Sequence, residues 1–175
     1  MLFGSNIFAV GLGKKRFLID ACQGNSEKFL KNVEAYVTAF DCDIEGIFIT
    51  HAHHDHMGGA YDVVKLMGKL GRPLPKIYKF VDGNESELER YEEHEELKEH
   101  LCHVTEESSF EIIGNVGSGK NTKECRIEIK PIETPGHLSD HLCFLYTEQI
   151  GGDKAPKTHH IFTGDSIIGG KSTFF

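Results

Sequence analysis

Apolar residues recur along the chain with two periods, and each change of period marks an element. Residues 6–10 and 16–20 are mostly apolar or aromatic on either side of Gly11-Leu12-Gly13-Lys14-Lys15, which predicts a β-hairpin. Phe29, Leu30, Val33, Val37 and Phe40 then fall on one helical face, predicting a helix over 26–40 with Ser26 or Asn25 as its cap. Ile44-Glu45-Gly46-Ile47-Phe48-Ile49-Thr50 reads as a buried strand. Gly58-Gly59 lets the chain turn tightly into a second helix over 60–70. Beyond the turn Gly71-Arg72-Pro73-Leu74-Pro75, strands are predicted over 76–81, 110–113, 125–132, 141–147 and 159–163. The pattern is mixed α and β with hairpins, an α+β arrangement.

Two stretches depart from it. Residues 83–101 are dense in glutamate, with Leu88, Tyr91, Leu97 and Leu101 as a thin apolar stripe, and read as a solvated acidic helical insertion reaching to about 103. The sharper alternative is a docking helix or a lid. His94, His100 and His103 are read as surface histidines, and the sequon Asn84-Glu85-Ser86 as silent. Gly114-Asn115-Val116-Gly117-Ser118-Gly119-Lys120 approaches a phosphate-binding loop, but Asn121 follows and then a strand. With no helix N-terminus to face an anion, it reads as a glycine-rich turn.

With 175 residues, 39% of them hydrophobic, the chain is read as one globular domain. No apolar run approaches the roughly 20 residues that span a bilayer, so no membrane partner is expected. No secretory signal is visible, and the five scattered cysteines read as reduced thiols, so cytoplasm is the default location. The formal net charge of −8 opposes a general polyanion binder. A local basic face could still be drawn from Lys65, Lys69, Arg72, Lys76 and Lys79, or from Lys14, Lys15 and Arg16.

The chemistry concentrates in His51-Ala52-His53-His54-Asp55-His56. Neutral imidazoles and an ionised carboxylate are ligands for zinc, manganese or iron. Buried together without a cation they would be costly. His51 and His53, two apart at a strand end, can face one ion; Asp55 and His56 can face a second. His137 in Thr134-Pro135-Gly136-His137 and Asp165 in Thr163-Gly164-Asp165 also lie just past strand ends, and a carboxylate such as Asp165 can bridge two cations.

The series H-x-H-x-D-H, T-P-G-H and T-G-D, in that order, resembles the metallo-beta-lactamase superfamily. The finer resemblance is to the branch called beta-lactamase-like protein two, an endoribonuclease group. It is carried by Ser5-Asn6-Ile7-Phe8-Ala9-Val10-Gly11, Phe17-Leu18-Ile19-Asp20 and residues 134–141 and 161–169, and is thin between roughly 81 and 123. The resemblance implies an αββα sandwich, with His51, His53 and His137 on one ion, Asp55 and His56 on the other, and Asp165 between them. It implies two divalent ions, with zinc as the expected metal, and a mitochondrial location as an alternative. The family's further P-G-H histidine has no counterpart before Phe175, so the domain, 1–175, is expected to be truncated, without the closing C-terminal strands and helices. Ala21-Cys22 stands where the family carries Thr-Gly.

A bound divalent ion lowers the pKa of coordinated water to about 7, so the expected activity is metal-dependent hydrolysis. Asp55 is the catalytic candidate, orienting the nucleophile, and His141 is a candidate for orienting a ligand or a substrate oxygen. Single-stranded RNA is the substrate that the branch resemblance implies. A small thioester, cleaved as by glyoxalase II, is the alternative, and an inactive metal-binding chain is the third reading. Of the doublet His159-His160, core or surface placement is expected.

Overall fold

The strands of the first sheet are apolar on both faces because each face is covered. The computed structural model describes residues 5–81, 98–152 and 154–168. Strands β1 (Phe8–Leu12), β2 (Lys15–Ile19), β3 (Asp43–Phe48), β4 (Lys76–Lys79) and β5 (Leu101–His103) form this sheet in the order β1-β2-β3-β4-β5. The β1–β2 pair is the expected antiparallel hairpin; β2, β3, β4 and β5 run parallel. Leu18, Ile44, Ile47, Ile49 and Ile77 pack against α1 (Glu27–Ala39) and α3 (Ala60–Lys69). Phe17, Ile19 and Phe48 point the other way, into a second core. Parallel strands buried on both faces read as continuous apolar runs, as Phe17-Leu18-Ile19 and Ile47-Phe48-Ile49 do at the inner ends of β2 and β3.

That second core is shared with an antiparallel sheet, β6 (Phe110–Val116), β7 (Lys123–Glu133), β8 (Leu142–Ile150) and β9 (Lys157–Phe162), in the order β6-β7-β8-β9. Phe48 is its centre: its ring lies 4.7–5.1 Å from those of Phe17, Tyr78, Phe110 and Phe144. Gly46 makes room for this cluster, since a Cβ there would stand 2.5 Å from the Tyr78 ring. The layers described are therefore helices, sheet, sheet, which are three of the four layers of the expected αββα sandwich. The outer face of the second sheet is open among the described residues, with Ile113 and Ile161 each 53% exposed.

Most expected elements are present, and their ends shift for physical reasons. Ser26 caps α1 through a 3.4 Å bond from the Phe29 amide. β3 stops at Phe48, short of Thr50, because the Thr50 amide donates to the Asp20 carboxylate (2.8 Å) instead of continuing the ladder. Pro131 is tolerated inside β7 because β6 pairs only as far as Ile129, so no partner there needs its missing N–H. The glycine-rich stretch at 114–120 lies at the β6–β7 hairpin, its first residues in β6 and its end in a short 3-10 turn. The expected acidic helix falls mostly on residues 82–97, outside the described residues. Its expected end is corrected: Leu101–His103 is strand β5, drawn into the sheet by pairing with Ile77, Tyr78 and Lys79.

Cys22 takes φ +60 where the family carries glycine. A side chain costs roughly 1–2 kcal/mol in that region. Cys22→Gly is therefore expected to raise stability by about 1 kcal/mol, read as a higher urea midpoint at unchanged slope; an unchanged or lower midpoint would refute the strain.

Candidate metal centre

Every part of the centre hangs from the same end of the two sheets. β2 and β3 end at Asp20 and at Thr50-His51; β7 ends at the turn 134–141; β9 ends at Thr163-Gly164-Asp165. The segment after β3 winds into the one-turn helix α2 (His54–Met57), with His53 as its N-cap residue. Gly58 and Gly59 follow, but not for conformational freedom, since both have ordinary negative φ. They are needed for close approach: a Cβ on Gly58 would meet the Gly24 amide nitrogen at 2.7 Å, and one on Gly59 the Ala21 carbonyl at 2.2 Å.

His51, His53, His137 and Asp165 each offer a ligand atom, all within 4.8 Å of one another, a cluster that can hold a metal ion. His53 Nδ1 lies 2.9 Å from His51 Nε2 and 3.0 Å from His137 Nε2. Asp165 stands between this trio and His56: Oδ2 is 3.7 Å from His137 Nε2, and Oδ1 is 3.3 Å from His56 Nε2. Asp55 Oδ2 is 3.8 Å from the same His56 nitrogen and accepts a 2.7 Å hydrogen bond from Ser5 Oγ. All six expected ligand residues thus converge, from segments far apart in the chain. A divalent cation fits this donor set, because imidazole nitrogens packed face to face can share a cation where they cannot all share protons.

The electrostatics favour the neutral form at His51, His53 and His141 and the charged form at His56. Burial, then the neighbouring histidines, depress the pKa of His51 strongly and that of His53 as well. His141 is pushed down to about 4 by burial and by His137. Burial alone would raise Asp55, but the Ser5 hydrogen bond and the charge of His56 outweigh it and hold its carboxyl low. For His56, burial opposes the charged form, yet the hydrogen bond and charge of Asp20 prevail and raise its pKa.

Asp20 is the residue whose role sequence reasoning missed. Fully enclosed at the end of β2 with φ +62, its carboxylate accepts from the Thr50 amide and hydroxyl and faces His56 Nδ1 at 2.7 Å. That contact turns His56 Nε2 towards Asp55 and Asp165. Thr50 Oγ1 also touches His51 Nδ1 at 3.0 Å, so one carboxylate steadies two of the clustered rings. Its only signal was a charged residue closing the apolar run Phe17-Leu18-Ile19.

His141, expected to orient a ligand or substrate, stacks on the His51 ring at 5.1 Å and is held at Nδ1 by Thr134 and Ser166. Gly164, at φ +49, lets the Asp165 turn pass this ring; a Cβ there would sit 2.8 Å from His141 Nε2. His159 and His160 lie on exposed β9, facing Thr147 and Tyr146 rather than the cluster. His103 accepts from the Val81 amide, and His100 is half-buried, away from the ligands. His94 lies outside the described residues.

Comparison with known proteins agrees with this geometry. The family model of the metallo-beta-lactamase superfamily matches residues 1–150, and the chain belongs to that superfamily. A lactamase-like protein of Pestalotiopsis microspora is 27% identical over 98% of this chain and 41% of its own length. An atrochrysone carboxyl ACP thioesterase of Pseudocercospora fijiensis is 27% identical over 96% of this chain and 38% of its own length. Among solved structures, the subclass B3 metallo-beta-lactamase MEM-A1, from a soil metagenome library, superposes with a TM-score of 0.54 at 15% identity, covering 91% of this chain and 56% of that one. The chain thus spans about two fifths of the length of these curated relatives.

If Asp20 steadies the ligands as described, Asp20→Ala lowers metal affinity roughly 10- to 100-fold, measured by competition with a chromophoric chelator. Unchanged affinity in a folded variant would remove Asp20 from the site.

Proposed function

We propose that the chain is a metal-dependent hydrolase of acyl thioesters. In this reading His51, His53 and His137 hold one divalent ion, Asp55 and His56 a second, and Asp165 lies between them. Divalent ions held by these residues would supply the acidity that lets water lose a proton near neutral pH and would offset charge on the leaving group. Asp55, kept ionised and oriented by Ser5, is the residue placed to accept a proton from the attacking water. The buried, neutral His51 and His141 keep the inner wall of the site free of competing charge. Water adds to the acyl carbon, the C–S bond breaks, and the products are an acid and a thiol.

The single observation that carries the substrate class is where the positive charge lies. The loops around the cluster, residues 20–26, 50–59, 103–109, 133–141 and 163–168, contain no lysine or arginine. Most of the candidate basic groups are paired with acids. Lys14 meets Asp41, Lys15 meets Glu45 and Arg72 meets Asp43, all by the N-terminal ends of the parallel strands, away from the site. Lys65 meets Asp62 on α3, and Lys79 is buried. A nucleic acid needs cations along its phosphates, whereas a thioester presents an uncharged reacting centre. The relatives named as ACP thioesterases support the same reading.

The second reading, an endoribonuclease acting on single-stranded RNA, is favoured by the resemblance carried on residues 134–141 and 161–169. Zinc-loaded protein incubated separately with an acyl-pantetheine thioester and with labelled single-stranded RNA decides between them. Expected is thioester cleavage reduced at least about 100-fold in His51→Ala. Cleavage of RNA alone would establish the second reading, and cleavage of neither would overturn both.

A further inference from the structure

We propose that Lys79 and Asp140 form a positioning pair that fixes where His137 stands; the proposal rests on reading His137 as a metal ligand. Lys79 ends β4 in the first sheet, and Asp140 lies in the turn between β7 and β8 of the second. They meet as a buried ion pair, Lys79 having no exposed surface and Asp140 almost none. The ammonium also donates to the Phe80 carbonyl at 2.6 Å and the Asp140 carbonyl at 3.3 Å. These two carbonyls fix two of the ammonium's donor directions, and the Asp140 carboxylate lies against it as the counter-ion.

The turn behaves as one body. The Thr134 amide donates to the His141 carbonyl at 2.9 Å, and Thr134 Oγ1 meets His141 Nδ1 at 2.8 Å, so its two ends are closed on each other with His137 between them. The Leu142 amide donates to the Thr50 carbonyl at 2.7 Å, a first tether from this body to the sheet that carries His51. The His141 ring stacked on His51 lies at the same end of the turn, so these contacts by themselves do not fix the 137–140 side. Lys79 adds a tether from a neighbouring strand at Asp140, and tethers at separate points define an orientation.

Cohesion alone does not account for charged groups here. Taking an ammonium and a carboxylate out of water is costly, and an apolar pair of similar volume would join the sheets at least as well. Directionality is what the ion pair adds. His137 Nε2 must meet His53 and Asp165 within a few ångströms, and a sliding apolar contact would not hold that register.

Cobalt(II) titration of the full chain tests this without any substrate. Compared with the unmodified chain are Asp140→Asn, Lys79→Met and the double variant Lys79→Met/Asp140→Leu, in which no buried charge is left alone. Expected in the double variant is cooperative thermal unfolding near that of the unmodified chain, with cobalt affinity lowered roughly 10- to 100-fold and displaced visible ligand-field bands. Folded variants with unchanged affinity and bands would overturn the proposal. Failure of all three to fold would overturn it as well, making the pair a requirement of the fold and not of the site. A His51→Ala control separates the two levels: if cobalt binding to the unmodified chain does not depend on His51, the reading of the cluster as a metal centre fails, and the pair's role falls with it.

Discussion

A carboxylate sealed away from water holds this molecule's functional end together. Asp20 leaves β2 in a left-handed conformation and takes the Thr50 amide that β3 would otherwise offer to its neighbour. The ladder therefore stops where the ligand loop begins. The same carboxylate engages His56, while Thr50 passes the constraint on to His51. Burying such a group is unfavourable unless its lone pairs are taken up, and here two donors on Thr50 and one face of His56 do so. Strained backbone gathers at the same place, as expected where geometry is dictated by chemistry and not by local preference.

Much of this was legible in the residues. β2 and β3 end in continuous apolar runs and α1 shows its stripe, so the residue pattern found them. The convergence of the six side chains was legible because H-x-H-x-D-H is dense in cation-binding groups and because His137 and Asp165 follow strand ends. What periodicity could not show is the side chain that competes with the backbone. Thr50 reads as the last residue of a strand, and only its bond to Asp20 reveals that the strand has ended. Gly58-Gly59 was legible as a constraint but not as the right one, because close approach depends on Ala21 and Gly24, which are remote in sequence. Leu101 to His103 read as a helix end because the glutamates before them dominate the pattern, whereas pairing with β4 decides their state.

Lys79 illustrates the limit most sharply. In Lys76-Ile77-Tyr78-Lys79 it looks like an outward polar position of an alternating strand. Its partner lies 61 residues further on, in a turn that no local pattern links to it. The charge map shows a similar contrast. Lys14, Lys15 and Arg72 are each neutralised by a neighbouring acid at the far end of the sheet instead of being gathered into one nucleic-acid face.

Four of the six clustered donors fall within His51-Ala52-His53-His54-Asp55-His56. A peptide that short keeps its histidines close even when the rest of the chain has lost its shape. The denatured ensemble therefore retains some hold on a transition metal, and ligand that binds both states stabilises only by the difference between them. Tight metal binding by this protein would translate into a smaller gain in resistance to unfolding than its dissociation constant suggests.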